Sequence, residues 1–138
     1  MRLVVDASVV VKLMHEEEGS EDAVRLFVRV MDNDIELISS ARMPSEVGNA
    51  IMKHLDEEDG EPFIEQVFEL DIDMVPIDKH LVSEVMHNAI DLGISFYDSG
   101  YVTIAENEKA RFVTEDKQLL EKVPFAIDIK KALRTIEP

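Results

Sequence analysis

Four acidic side chains stand where a predicted strand ends or a predicted helix begins. They are Asp6, Glu46, Asp98 and Asp116. Asp6 closes the apolar run LVV, and Asp116 follows the run RFVT by two residues. Glu46 lies in the first turn after Pro44, and Asp98 opens the helical stretch YDSGYVTIA. Because strand carboxyl ends and helix amino ends meet at one edge of a parallel α/β sheet, we expect these four acids at the same edge.

Carboxylates gathered in this way need a counter-charge. Two of them ~5 Å apart repel by about 3 kcal/mol at an effective dielectric near 20. The dipole at a helix amino end stabilises a nearby carboxylate by only ~0.3–1 kcal/mol. The acids must therefore take up protons or share a divalent cation. Oxygen donors without a neighbouring His or Cys select a hard ion, so the predicted cofactor is Mg²⁺ or Mn²⁺.

Strand-like and helix-like segments alternate along the chain. Predicted strands cover residues 3–5, 36–39, 72–77, 111–114 and 125–129. Four predicted helices begin at Ser8, Ser20, Pro44 and Asp78, and Gly93 ends the last of these. Further helices are predicted over 63–70, the YDSGYVTIA stretch, 117–122 and 130–136. The acidic run 56–62 is interpreted as a solvated break. This alternation predicts an α/β fold with a short parallel sheet flanked by helices, in three layers.

Composition limits the classes of protein. The 138 residues, 46% of them apolar, predict a single domain over residues 1–138. The absence of cysteine excludes disulfides, thiolate zinc sites and cysteine nucleophiles. No leader and no membrane-spanning run is apparent, so we expect a cytoplasmic protein without a membrane partner.

Charge is the unusual property of this composition. Fourteen Lys and Arg against thirty Asp and Glu give a net charge of −16. Long-range attraction therefore favours a basic protein partner over a nucleic acid. A nucleic-acid substrate would depend on bound cations or on local basic residues, of which Lys12, Arg42 and Lys117 are closest in sequence to the acidic edge.

The stretches LVVDAS, PSEVGNAI, YDSGYVTIA and VTED together resemble the PIN-domain ribonucleases, especially the VapC-type toxins of prokaryotic toxin–antitoxin pairs. The resemblance extends from Leu3 to beyond Asp116. It implies a PIN-like fold and an acidic cluster that binds Mg²⁺ or Mn²⁺ and hydrolyses RNA phosphodiester bonds. The matching catalytic and metal-binding positions are Asp6, Glu46, Asp98 and Asp116, and the supporting positions are Ser8, Asn49 and Thr114.

The resemblance also implies roles and partners. Asp6, Asp98 and Asp116 would hold the metal, while Glu46 would either bind a second ion or position a water as general base. Ser8 and Asn49 would orient the carboxylates. The expected partners are an RNA substrate, a cognate antitoxin whose peptide covers the acidic edge, and a second copy of the chain in a homodimer.

Structural roles compete for the same residues. Asp6 could be only a helix N-cap, either Asp98 or Ser99 could cap its helix, and Glu115 could face the site in place of Asp116. Asp78 and Asp128 also follow strands, and Tyr97 could stack on a base or be simply half-buried. The histidines, which share no ligand spacing, are His15, His54, His80 and His87.

Two other functions fit the sequence less well. The first is a PIN-fold binding module with weak or lost catalysis, which the acidic surface favours. The second is a phospho-accepting receiver domain, which is also doubly wound. A receiver needs paired acids at its first strand and a late lysine before a proline, and both are missing here.

Overall fold

Five short strands form one sheet in the computed structural model, which describes residues 1–13, 18–32 and 35–137. The strands are β1 (Arg2–Val5), β2 (Glu36–Ser40), β3 (Ile72–Val75), β4 (Arg111–Val113) and β5 (Ala126–Ile127). Their order in the sheet is β3-β2-β1-β4-β5, and every neighbouring pair is parallel. The predicted α/β class and parallel sheet are confirmed.

Helices connect and flank these strands. They are α1 (Ala7–Val11), α2 (Ser20–Asp32), α3 (Met43–His54), α4 (Glu57–Val67), α5 (Val82–Leu92), α6 (Phe96–Glu108), α7 (Lys117–Lys122) and α8 (Ile129–Ile136). Helix α6 packs on β1, β2 and β4 and is itself covered by α5, while α3 contacts both α1 and α4, and α2 packs with α8. None of the helices in the described ranges is long and apolar enough to cross a membrane.

The centre of the sheet is buried on both sides. Leu3, Val4 and Val5 of β1 are all fully buried. Successive side chains of a strand point to opposite faces, so a strand with three consecutive buried residues must be covered by helices on both faces. From α6, Tyr101 and Ile104 complete this core. The first strand therefore ends inside the molecule, and the residue that follows it, Asp6, is buried with it.

Several predicted boundaries were wrong. The run 56–62 is not a solvated break, because Asp56 caps α4 by accepting a hydrogen bond from the Asp59 N–H at 3.0 Å and the helix begins at Glu57. Asp78 accepts from the N–H groups of His80 and Leu81 in a turn before α5, which begins at Val82.

Other helix starts and ends also differ in detail from prediction. Helix α1 is capped by Asp6 rather than Ser8, and α2 begins at Ser20 itself, where a cap had been expected. Gly93 ends α5 in the left-handed conformation, as predicted. The predicted strand 72–77 stops at Val75. His15 lies outside the described residues.

Candidate active site

The four predicted acids lie at chain positions where β1, β2 and β4 give way to helices and where α6 begins. Asp6 follows β1 directly and caps α1, and Asp116 caps α7 two residues after Thr114. Glu46 is in the first turn of α3, and Asp98 is in the first turn of α6, whose cap is Ser95. The sheet order places β1 between β2 and β4, so the loops after these strands are neighbours at one edge.

Asp6 is almost completely buried, with 3% of its surface exposed. One of its oxygens accepts hydrogen bonds from the Ser8 N–H and hydroxyl, and the other accepts from the Thr114 hydroxyl at 2.5 Å. Burial raises its pKa to about 7, against the opposing effect of these hydrogen bonds, and the nearby charge of Asp98 raises it further. Asp6 is therefore held in place by donors, yet its charge has no cationic partner among the residues that the structure describes.

Ser8 and Thr114 connect Asp6 to the loop that carries Asp116. The Ser8 hydroxyl accepts from the Glu115 N–H at 2.9 Å, and the Thr114 hydroxyl accepts from the Asp116 N–H at 3.1 Å. The two hydroxyl oxygens are themselves 3.3 Å apart. The ends of β1 and β4 are thereby joined through two small hydroxyl side chains.

Glu46 accepts a hydrogen bond from the hydroxyl of Tyr101, a core residue of α6. Burial raises the pKa of Glu46 and the Tyr101 hydrogen bond opposes that rise, while the charge of Asp98 adds to it and Arg42 lowers it. Burial and the adjoining carboxylate raise the pKa of Tyr101 as well, so its hydroxyl stays a donor. No sequence pattern distinguishes Tyr101, because a tyrosine inside a helix is usually only part of the core.

Asp98 is the acid that couples to the other three. Burial raises its pKa first, hydrogen bonding with Ser95 opposes the rise, and the charge of Asp116 raises it. Its own charge in turn raises the pKa values of Asp6 and Glu46. The edge therefore concentrates negative potential around Asp98.

The carboxylates are near one another without converging on one point. Within residues 1–13, 18–32 and 35–137, no three His, Cys, Asp or Glu side chains are arranged so that they could hold a metal ion. Asp6, Glu46 and Asp116 each accept hydrogen bonds from their own protein donors. The donor set still fits a hard cation in its chemistry, since it consists of carboxylate oxygens that repel one another.

Two sequence ambiguities are resolved by the geometry. Glu115 lines a different depression together with Lys12 and Asp128, and the charges that act on it are those of Asp128, Lys12 and Asp22. Ser99 is buried and donates to the Val85 carbonyl oxygen, so it does not cap α6.

The structure places Asn49 and Asp128 in other features of the fold. Asn49 is exposed in the groove between α3 and α4 and, among the described residues, makes no hydrogen bond to the four acids, so the orienting role predicted for it has no contact to support it. Asp128 caps α8 by accepting from the Lys131 N–H at 2.8 Å.

The basic residues separate into two groups. The Arg42 guanidinium carbon lies 3.7 Å from the centre of the Tyr97 ring, and its charge acts on Glu46. Lys12 and Lys117 instead line a second depression with Glu115 and Asp128. Arg42 is therefore the one of the three predicted basic residues that lies beside the paired acids.

A sequence profile of the PIN domain matches residues 3–126. Ribonuclease VapC3 of Pyrobaculum aerophilum is 33% identical to the chain over 136 residues, which cover 92% of the chain and 98% of that relative. The residues matched by the profile include all four acids of the edge.

Solved structures share the fold at lower identity. PAE2754 from Pyrobaculum aerophilum superposes with a TM-score of 0.72 at 24% identity, covering 99% of this chain and 96% of its own. VapBC2 from Rickettsia felis, solved bound to a DNA fragment from its promoter, gives a TM-score of 0.69 at 13% identity, with 93% and 98% covered.

Proposed function

The chain belongs to the PIN-domain family, and we propose that it is a ribonuclease that hydrolyses RNA phosphodiester bonds at its acidic edge with Mg²⁺ or Mn²⁺. The observation that carries the proposal is Asp98, whose charge acts on Asp6 and Glu46 while Asp116 acts on it. The 33% identity to Ribonuclease VapC3 over nearly the whole chain supports the same activity. Membership of the PIN-domain family excludes the alternative function as a phospho-accepting receiver domain.

Asp6, Asp98 and Asp116 would hold the cation, and Glu46 would either join them or act as a general base. Bound there, a divalent ion would lower the pKa of a water and offset charge on the phosphoryl oxygens. Burial raises the pKa of Glu46, which brings it closer to the operating pH of a general base. The same residue would therefore suit proton transfer without leaving its hydrogen bond to Tyr101.

The other residues act on the carboxylates. Ser8 and Thr114 donate to opposite oxygens of Asp6 and so set the plane of its carboxylate. Tyr101 donates a hydrogen bond to one carboxylate oxygen of Glu46 and does not contact the other oxygen in this way. Asp6 and Glu46 are thus each oriented by neighbouring hydroxyl groups before any ligand arrives, which lowers the ordering cost of binding.

Asp98→Asn tests the activity against a matched control, Asp128→Asn. Both changes remove one negative charge, Asp98 from the first turn of α6 and Asp128 from the cap of α8, but the charge of Asp128 acts on Glu115 and not on Asp6, Glu46 or Asp98. With Mn²⁺ and a structured RNA, we expect cleavage by the Asp98→Asn variant to fall at least about a hundredfold and cleavage by the control to stay near wild type. EDTA should abolish cleavage by the wild type. Equal cleavage by both variants would contradict the proposal.

A cognate antitoxin and a second copy of the chain are the proposed protein partners, as the toxin of a type II toxin–antitoxin module would have. The likeness to VapBC2 and the net charge of −16 support a partner with basic side chains. Exposed apolar residues in one row of α5, namely Val82, Met86 and Ile90, support a homodimer. Light scattering of the isolated chain tests the dimer.

The separated carboxylates favour one alternative, a PIN-fold binding module without catalysis. Such a module would bind Mn²⁺ loosely or not at all and would leave RNA intact. The wild-type protein in the same cleavage assay decides between the two functions.

A further inference from the structure

A cavity of about 440 Å³ opens beside the acidic edge, between the end of β2 and the starts of α3 and α6. Its lining includes Ser40, Arg42, Ser45, Ile77, Val82 and Tyr97. Tyr97 directly precedes Asp98, and Arg42 precedes Glu46 by one helical turn. The cavity is therefore lined by sequence neighbours of two of the four acids, and its volume is in the range of small-molecule sites.

Arg42 and Tyr97 form a layered pair in this cavity. The guanidinium lies over the ring at 3.7 Å from its centre, and half of the Tyr97 surface remains exposed. The chain carries thirty acids, yet within the described residues Arg42 makes no ion pair closer than 4 Å. Its side chain also does not cap α3. An arginine placed in this way keeps its N–H groups available for an incoming anion or planar group.

The chemistry of this pair matches a nucleotide. Bases stack on aromatic rings and on guanidinium planes, and such stacking contributes about 1–3 kcal/mol per base. Ile77 and Val82 supply apolar wall, while Arg42 supplies a positive charge where the rest of the edge is negative. A basic peptide, which would suit the carboxylates, would be repelled by Arg42. The cavity therefore favours a nucleobase with its phosphate over a basic protein segment.

We infer that Arg42 and Tyr97 form a stacking subsite for one unpaired nucleobase of the RNA, next to the carboxylates. The inference rests on the proposed ribonuclease function for the identity of the ligand. A base that is paired in a helix has no free face to offer, so the subsite selects RNA whose base beside the scissile phosphate is unpaired. Arg42 also supplies, locally, the attraction to RNA that the net charge of the chain does not.

Short RNA oligonucleotides carrying 2-aminopurine at successive positions test the subsite, because emission from this base is quenched when it stacks. The measurement is made in EDTA, which prevents metal-dependent cleavage. We expect quenching at one position on binding to the wild type and to Tyr97→Phe. Tyr97→Leu should remove the quenching and weaken binding about five- to hundredfold. The matched control, Phe68→Leu, changes an aromatic residue that is 66% exposed and remote from the cavity, and should behave as wild type.

Cleavage of RNA with an abasic nucleotide at the quenched position separates the two proposals. The abasic substitution should lower kcat/KM for the wild type but not for Tyr97→Leu, since both remove the same contact. If the wild type cleaves RNA and neither change matters, the subsite is wrong and the ribonuclease stands. Quenching without any cleavage would overturn the ribonuclease and leave a nucleotide-binding cavity. Absence of quenching at every position would reduce the Arg42 and Tyr97 pair to a structural contact and overturn the inference.

Discussion

At the scale of single residues, Asp6 combines almost complete burial with a carboxyl group, and burial raises its pKa from 3.8 to about 7. The folded chain therefore holds a proton on Asp6 at pH values where the unfolded chain has lost it. Between about pH 4 and pH 7 the native state binds more protons than the unfolded state, so the free energy of unfolding falls as pH rises. The expected slope is about 1.4 kcal/mol per pH unit, and it levels off above pH 7.

Asp6→Asn should remove the Asp6 part of this pH dependence and leave the part that the raised pKa values of Glu46 and Asp98 contribute. Asparagine caps a helix as well as aspartate does and carries no charge, but its amide nitrogen cannot accept from one of the two hydroxyl groups that donate to Asp6. We therefore expect the variant to be about 1–3 kcal/mol more stable than the wild type at pH 8 in EDTA. Urea unfolding at several pH values between 4 and 8 measures the difference. Asp128→Asn should keep the wild-type pH profile. A wild-type stability that is flat between pH 4 and pH 7 would show that the Asp6 charge is compensated in the native state.

The residue types of the edge were predictable from the sequence, and their partners were not. The position of Asp6 after an apolar run, and of Thr114 two residues before Asp116, follows from where strands end. Tyr101 donates to Glu46 across 55 residues of sequence, and Arg42 meets Tyr97 only because the ends of β2 and α5 bring α3 and α6 together. Contacts of this kind depend on helix placement, which no local pattern encodes.

At the scale of elements, the helix α4 shows why a turn-like composition was misleading. Its sequence holds Gly60 and Pro62, which usually mark a break. Gly60 is instead required by the packing of α4 on α3, because a Cβ added there would lie 2.7 Å from the Ile51 Cγ2 methyl. Asp56 caps α4, and packing against α3 buries one face of the helix, which the local sequence alone does not indicate.

Two glycine substitutions in this helix pair should have opposite effects. Gly60→Ala should lower the free energy of unfolding by about 1–2 kcal/mol, since the β-branched Ile51 cannot rotate its methyl away easily. Gly48→Ala, on α3 of the same pair, meets its nearest atom at 3.9 Å and should raise stability by about 0.5–1 kcal/mol through its better helix propensity. Chemical denaturation of both variants measures this. Stabilisation by both would mean that α4 does not approach α3 this closely.

At the scale of the whole molecule, the net charge of −16 opposes the approach of RNA. The fold class followed from the alternation of strands and helices, but the charge is a property of the surface and has no consequence for the fold. Attraction to RNA must therefore come from individual basic side chains, and Arg42 is the basic residue whose charge acts on Glu46 of the acidic edge.

Monovalent salt should therefore increase cleavage at fixed Mn²⁺. Screening weakens the repulsion between the chain and the polyanion, so kcat/KM is expected to rise by up to about tenfold between low and physiological KCl. Initial rates over a KCl series measure this. A steep fall with salt, as basic nucleic-acid-binding proteins show, would contradict the expectation and indicate a positive surface that tracks the RNA backbone.

Binding of Mn²⁺ to the isolated protein tests the central claim, that the acids around Asp98 share a hard cation. Isothermal titration of the wild type should show saturable binding at neutral pH. Asp98→Asn should weaken that binding at least about tenfold, while Asp128→Asn, with the same loss of charge, should leave it unchanged. If the wild type binds no Mn²⁺, or if both variants bind it as well as the wild type does, the acidic edge is not a metal centre.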